Sequence, residues 1–160
     1  MRRLVLVALR RGWTVTLPHL DGVIIDGRHH MVVRVFYEDT DFSKAVYHAN
    51  YLRFMERGRT NYLRLLGTDQ RALFEEGETS GFAFVVRSMN IDYFKPAFMD
   101  DVLDIVTAPG EVKGASITLL QQCRRGDELL VEARVRVAFV SAGKAQRIPK
   151  ALRAAMTGHE

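Results

Sequence analysis

The chain has 160 residues, 48% hydrophobic and 26% charged, a balance that excludes a disordered or fibrous protein and suits one domain with a single core. A net charge of +4 with a pI near 9.5 would suit nucleic acid, but the basic residues form no block of five, and no recognition-helix, zinc-finger or RNP pattern accompanies them, so no nucleic-acid partner is expected. One cysteine, Cys123, excludes an intrachain disulfide, and no apolar run reaches the ~18–20 residues that span a bilayer, so a cytoplasmic protein without a transmembrane segment is expected.

At the start, the apolar stretch Leu4–Leu9 is cut by Arg10 and Arg11, short of a secretory h-region of ~7–15 residues. Residues 1–30 form an accessory segment in which Pro18, Gly22 and Gly27 punctuate a loop with one short strand. The compact domain spans 31–150, and 151–160 is a tail able to form a short helix. "MVVRVFY" (31–37) is β-branched and aromatic and predicts a strand, and "EDTDFSKAVYH" (38–48) is a loop of turn formers.

From Asn50 to Leu66, Tyr51, Met55, Gly58, Tyr62 and Leu66 recur at spacings of three and four, which predicts a helix with Arg53, Arg57 and Arg64 off its apolar stripe. Gly67 stands where a left-handed C-terminal cap belongs. Gly58 costs about 1 kcal/mol against alanine in mid-helix, which predicts a close neighbour there. Residues 71–80 read as a short helix and loop. Four strands with a period of two follow at 81–94, 101–112, 115–125 and 129–141; in the last, Ala133, Val135, Val137 and Phe139 share one face. The fold class is therefore α+β: an antiparallel five-stranded sheet wrapped around one helix of ~17 residues, ~26 Å long.

Two chemical readings arise from the residues alone. Asp39 and Asp41, just upstream of the helix start, are either turn formers bonded to their own backbone or a carboxylate placed beside a helix N-terminus. His29 and His30 with nearby acids suggest a metal, but no H-E-x-x-H or Cys/His spacing supports one, so no metal or cofactor is expected. Cys123, at a strand end with no helix start or histidine beside it, reads as a packed thiol.

The segment "VRVFYEDTDFSKAVYHANYLRFMERGRTNYLRLLG" (33–67) resembles the hotdog-fold acyl-CoA thioesterases. It is most similar to the YbgC-type branch, which is 4-hydroxybenzoyl-CoA thioesterase-like and associated with the Tol–Pal system. Tyr37, Glu38, Asp39, Thr40, Asp41, Val46, Tyr47, His48, Tyr51, Leu52, Phe54, Glu56, Arg57 and Arg59 match that branch's pattern, and "FVVRSMNIDYFKPAFMDDVL" (84–103) resembles its second strand and turn. The likeness covers about residues 28–150. One position departs: the family loop has glycine where this chain has Lys44, which costs roughly 1–2 kcal/mol if the site needs a positive φ.

The resemblance implies a thioester hydrolase acting on an acyl-CoA or an acyl-carrier-protein thioester. Asp41 would be the nucleophile or general base, and the backbone N–H of His48 the oxyanion donor. Tyr47 and Glu56 are lesser candidates; Glu56 also reads as an ion-pair partner of Arg53 or Arg59. Tyr37 and Tyr47 read as packing residues near the site, and Tyr37, Lys44, Arg53, Arg57 and Arg59 as contacts for substrate, the arginines for CoA phosphates. It also implies a homo-oligomer, a dimer or a dimer of dimers (a homotetramer). The alternative is a non-catalytic acyl-CoA or acyl-carrier-protein scaffold of the same fold, linked to lipid or envelope metabolism.

Overall fold

The computed structural model describes residues 6–9, 13–16, 20–67 and 82–158. Strands β1 (Leu6–Leu9) and β2 (Trp13–Thr16) pair as a separate antiparallel ribbon. Next come β3 (Val23–Ile25), β4 (Arg28–Arg34), a 3-10 turn at Tyr37–Asp39 and the long helix α1 (His48–Leu65). After it run β5 (Phe82–Tyr93), β6 (Val102–Lys113), β7 (Ser116–Arg125), β8 (Glu128–Ser141), β9 (Lys144–Ala145) and α2 (Lys150–Thr157). The main sheet has seven strands in the order β3-β4-β6-β7-β8-β5, with β9 on β8.

The sheet therefore exceeds the expected five strands by two short ones. One of them, β3, is joined to β4 by Asp26 and Gly27, both at positive φ (48° and 73°), the two-residue turn whose twist suits a hairpin. This hairpin moves the first strand of the domain back to Arg28, and residues 35–37 leave the sheet. The other four strands begin and end within one residue of their expected bounds. The predicted element at 71–80 lies outside the described residues.

Helix α1 lies against β4, β6 and β7. It starts at His48, two residues before the expected start at Asn50, and Gly67 beyond its end takes φ 87° as a left-handed cap should. Tyr51, Met55, Gly58 and Tyr62 are buried as the stripe requires, and so are Phe54 and Leu63. Gly58 marks closest approach: a Cβ there would lie 3.1 Å from Ile105 Cγ2 and 3.2 Å from Thr107 Oγ1. Helix propensity is given up so that the helix can seat on β6. On the sheet side Ala133, Val135, Val137 and Phe139 all face the core, while Glu132, Arg134 and Arg136 are exposed. Leu152 and Met156 of α2 join that core.

A polar joint is buried between helix and sheet. Arg59 Nη1 donates to Gln121 Oε1 at 2.9 Å. The Gln121 amide nitrogen in turn donates to Met55 O and to Thr107 Oγ1, each at 2.8 Å. Cys123 is buried, and burial pushes its thiol up to about 12, as befits a packed group and not a nucleophile.

The two histidines of β4 are consecutive, so they point to opposite faces of the sheet. His29 is buried, and its Nε2 donates to Asp21 O at 2.6 Å. Burial holds its pKa below the ordinary histidine value. His30 Nδ1 meets Asp104 Oδ2 at 2.8 Å on the other face. The pair cannot converge on one ion, and among the described residues no group of three potential ligands does.

Candidate active site

The loop between β4 and α1 divides the two aspartates. Asp39 turns its carboxylate back on the chain, Oδ2 accepting the Phe36 N–H at 2.8 Å. Its carbonyl accepts two further bonds, from Tyr47 N at 2.9 Å and from the side-chain amide of Asn50 at 2.8 Å. Asp39 is thus the turn former that ties the loop to the helix start. Asn50, buried in the first turn of α1, is a positioning residue that the sequence pattern did not single out.

Asp41 faces outward in a tight turn closed by Asp41 N to Ala45 O at 3.0 Å and Lys44 N to Asp41 O at 2.9 Å. Its Oδ1 accepts both the Ser43 hydroxyl at 2.6 Å and the Ser43 N–H at 2.8 Å. These bonds hold the carboxyl below the ordinary aspartate range, Ser43 hydroxyl first and Ser43 amide second, with His48 nearby adding to them. Asp41 is therefore ionised at neutral pH, and among the described residues no side chain donates to its Oδ2. Ser43 is a second residue absent from the sequence reading, although the D-x-S spacing is that of a side chain capping its own turn.

The loop is stitched to the strand connection before β6. Val46 N donates to Ala97 O, Ala97 N donates to the Tyr51 hydroxyl, both at 2.9 Å, and Ala45 bridges Phe98. These contacts fix the entry into α1. Tyr47 N–H is taken by Asp39 O and Asn50 N–H by Tyr47 O. Among the described residues, that leaves the amides of His48 and Ala49 without a backbone acceptor at the positive end of an 18-residue helix. Beside them opens a cleft of about 270 Å³ lined by Val46, His48, Tyr51, Tyr93 and Pro96 among others. A larger depression of about 430 Å³ lies on the sheet, where Arg28, Asn90, Asp92, Leu120, Glu132 and Arg134 meet, and no free helix end opens into it.

The other expected site residues separate clearly. The Tyr47 ring lies against the His48 ring, 4.5 Å between centroids and tilted by 59°. Tyr37, expected to pack, is 79% exposed because the 3-10 turn carries it outward. Arg53 and Arg57 reach solvent from α1, whereas the Arg59 guanidinium, expected at a CoA phosphate, is buried against Gln121. Glu56 accepts the Thr60 hydroxyl at 2.8 Å and, among the described residues, no arginine hydrogen bond, although its charge acts on Arg59. It also stands two turns beyond His48.

Lys44 adopts φ 68°, the conformation its family's glycine would supply. It is exposed, and the Asp41 carboxylate in the same turn is bonded to Ser43. Lys44→Gly is therefore expected to raise stability by about 1 kcal/mol by relieving left-handed strain, less the extra backbone entropy of glycine in the unfolded chain. A urea melt with no gain in midpoint would show that the turn carries no strain.

The profile of the thioesterase-like superfamily matches residues 35–156. The acyl-CoA thioesterase YbgC of Haemophilus influenzae is 45% identical over 134 residues, covering 82% of this chain and 96% of its own. The acyl-CoA thioester hydrolase YbgC of Escherichia coli O6:H1 is 43% identical over 121 residues, covering 75% and 86%. Among solved structures, a probable thioesterase from Bartonella henselae superimposes with a TM-score of 0.73 at 40% identity, over 76% of this chain and 99% of that one. The chain belongs to the thioesterase-like superfamily, as a hotdog-fold thioesterase of the YbgC type.

Proposed function

We propose that this thioester hydrolase cleaves acyl-CoA or acyl-carrier-protein thioesters with Asp41 as its reacting carboxylate and the amides of His48 and Ala49 as oxyanion donors. The reading rests on an exposed, ionised carboxylate with one oxygen that takes no hydrogen bond among the described residues, in the loop that leads into a helix whose first amides, those of His48 and Ala49, have no backbone acceptor. Thioester hydrolysis needs both parts. An oxygen must reach the carbonyl carbon, and the negative charge growing on the carbonyl oxygen must be met by preorganised donors.

Because Ser43 occupies Oδ1, Oδ2 is the oxygen that acts. It either attacks the carbonyl carbon, expels the thiolate and forms an anhydride that water then hydrolyses, or it takes a proton from water as that water attacks. In both routes the carbonyl oxygen becomes the oxyanion, the C–S bond breaks, and the products are a carboxylate and a free thiol. Of the three arginines expected at phosphates, Arg53 and Arg57 are the exposed ones. No described helix is long and apolar enough to cross a membrane.

The test is free-thiol release from short-, medium-, long-chain and aromatic acyl-CoAs. Turnover on at least one substrate is expected, and none on any, with CoA still bound, would make the chain a binding protein.

The cleft in one chain is open, and the sheet ends at β5, a strand of 12 residues whose far edge lies beyond β8. Val85 and Val86 on it are 44% and 46% exposed. A long apolar edge is stable when a second strand covers it. A homo-oligomer built on two-fold pairing of β5 follows, so light scattering should give at least twice the 18.2 kDa of one chain. A mass of one chain at micromolar concentration would remove that assembly.

A further inference from the structure

Two peptide planes carry the free N–H groups at the start of α1. The N–H of His48 shares its plane with the carbonyl of Tyr47, and the N–H of Ala49 shares its plane with the carbonyl of His48. A planar trans peptide couples its two ends: whatever grips the oxygen sets the direction of the hydrogen on the opposite side. The Tyr47 carbonyl is gripped from within the helix, by Asn50 N at 2.8 Å. The His48 carbonyl is gripped from outside it, where the Tyr93 hydroxyl donates at 3.2 Å across 45 positions of sequence.

Tyr93 is the last residue of β5 and lines the cleft beside His48. Its ring meets the His48 ring edge-on at 6.3 Å and the Tyr51 ring at 5.8 Å. Tyr51 is itself buried and bonded to Ala97 N, so the ring against which Tyr93 leans is fixed. The hydroxyl is thus held at a helix carbonyl, where the end of β5 meets the start of α1.

We propose that Tyr93 is a positioning residue of the oxyanion site, acting through the His48–Ala49 peptide. A carbonyl oxygen has two lone pairs, so it can take the hydroxyl in addition to the helical bond. Donation to that oxygen polarises the amide and makes its N–H a better donor, because linked hydrogen bonds strengthen one another. The same bond stops the first turn from fraying, which would otherwise swing the Ala49 N–H away from the substrate carbonyl. Among the described residues the Tyr93 hydroxyl bonds to the His48 carbonyl and not to Asp41, so its contribution falls on the step where negative charge develops. This role rests on the thioesterase reading above, but the bond itself can be examined without any substrate.

Tyr93→Phe keeps the ring and removes the hydroxyl. The expected result has two parts. In the ¹H–¹⁵N spectrum the Ala49 amide shifts, while amides at the far end of α1, such as Leu63, stay in place. In thiol-release kinetics kcat falls about tenfold with KM within twofold, as expected for an interaction made stronger in the transition state. Tyr93→Leu, which also removes the ring from the cleft, loses as much kcat and raises KM besides. A Phe variant with an unmoved Ala49 amide, or one with a shifted amide and wild-type kcat, overturns the proposal. Were the wild type inactive on every thioester, the hydrolase reading would fall, and the Ala49 amide would still decide whether Tyr93 governs that peptide.

Discussion

Asp41→Asn is expected to lower kcat by about 10³-fold, within the ~10²–10⁴ range for loss of a positioned acid–base or nucleophilic group, while leaving the melting temperature nearly unchanged. The two halves follow from the same geometry. Asp41 is exposed and, among the described residues, its carboxylate bonds only to Ser43 in its own turn, so an amide of the same shape disturbs no packing. An amide has no charge to attack with and no basicity to activate water. Free-thiol release on the best acyl-CoA, beside a thermal melt of each protein, separates the outcomes. Equal rates would remove Asp41 from the mechanism; a lost melt would mean the turn is structural.

A pH dependence follows, and its sign is fixed by the cause of the shift. Ser43 holds the Asp41 carboxyl below its ordinary range, and the ionised form is the active one. Activity should therefore persist as pH falls through the usual aspartate range and fail only below it. Ser43→Ala removes the hydroxyl, the larger of the two bonds, so the acid limb of kcat/KM moves upward toward that range. An acid limb that stays where it is would show that another group sets it.

Much of this was legible in the sequence because single periods ran through long elements. The stripe Tyr51–Met55–Gly58–Tyr62 and the alternation Ala133–Val135–Val137–Phe139 each point to one buried face, and both are buried. The β3–β4 hairpin was also written in the chain, in Asp26-Gly27 between short apolar and β-branched runs, but its three-residue strand is too brief for a period to show. The likeness to a family could mark both Asp39 and Asp41; only the backbone directions separate the cap from the exposed carboxylate. Arg59 lies four residues after Met55 and three before Tyr62, so spacing alone sets it at the edge of the apolar stripe, yet its charge argued for solvent. Tyr93 and His48 are brought together by the sheet order, which places β5 at the far edge, and no local pattern encodes that meeting.

Arg59 carries the second large expectation, through Gln121. Its guanidinium is buried between α1 and β7, burial depresses its pKa, and an arginine nonetheless remains charged there. Gln121, fully buried, is the group that answers it, and the same amide holds Met55 O and Thr107 Oγ1. Gln121→Leu fills the space but leaves a buried cation unanswered and takes a donor from Thr107 Oγ1, while Met55 O keeps its helical bond. The expected loss is about 3 kcal/mol, the scale for orphaning a buried charged donor. That is a fall of roughly 6–12 °C in Tm for a chain of this size, measured at fixed protein concentration. If the charge is what suffers, Arg59→Met placed on top of Gln121→Leu should restore at least half of the loss, because an apolar pair makes no demand for hydrogen bonds. A single variant within 1 kcal/mol of wild type would mean that the helix shifts to let water reach Arg59. A double variant no better than the single one would place the cost in the bonds to Met55 and Thr107. Restoration by the double would make the joint a device for seating α1 at one depth, the depth at which Gly58 meets Ile105 and the helix start meets the loop of Asp41.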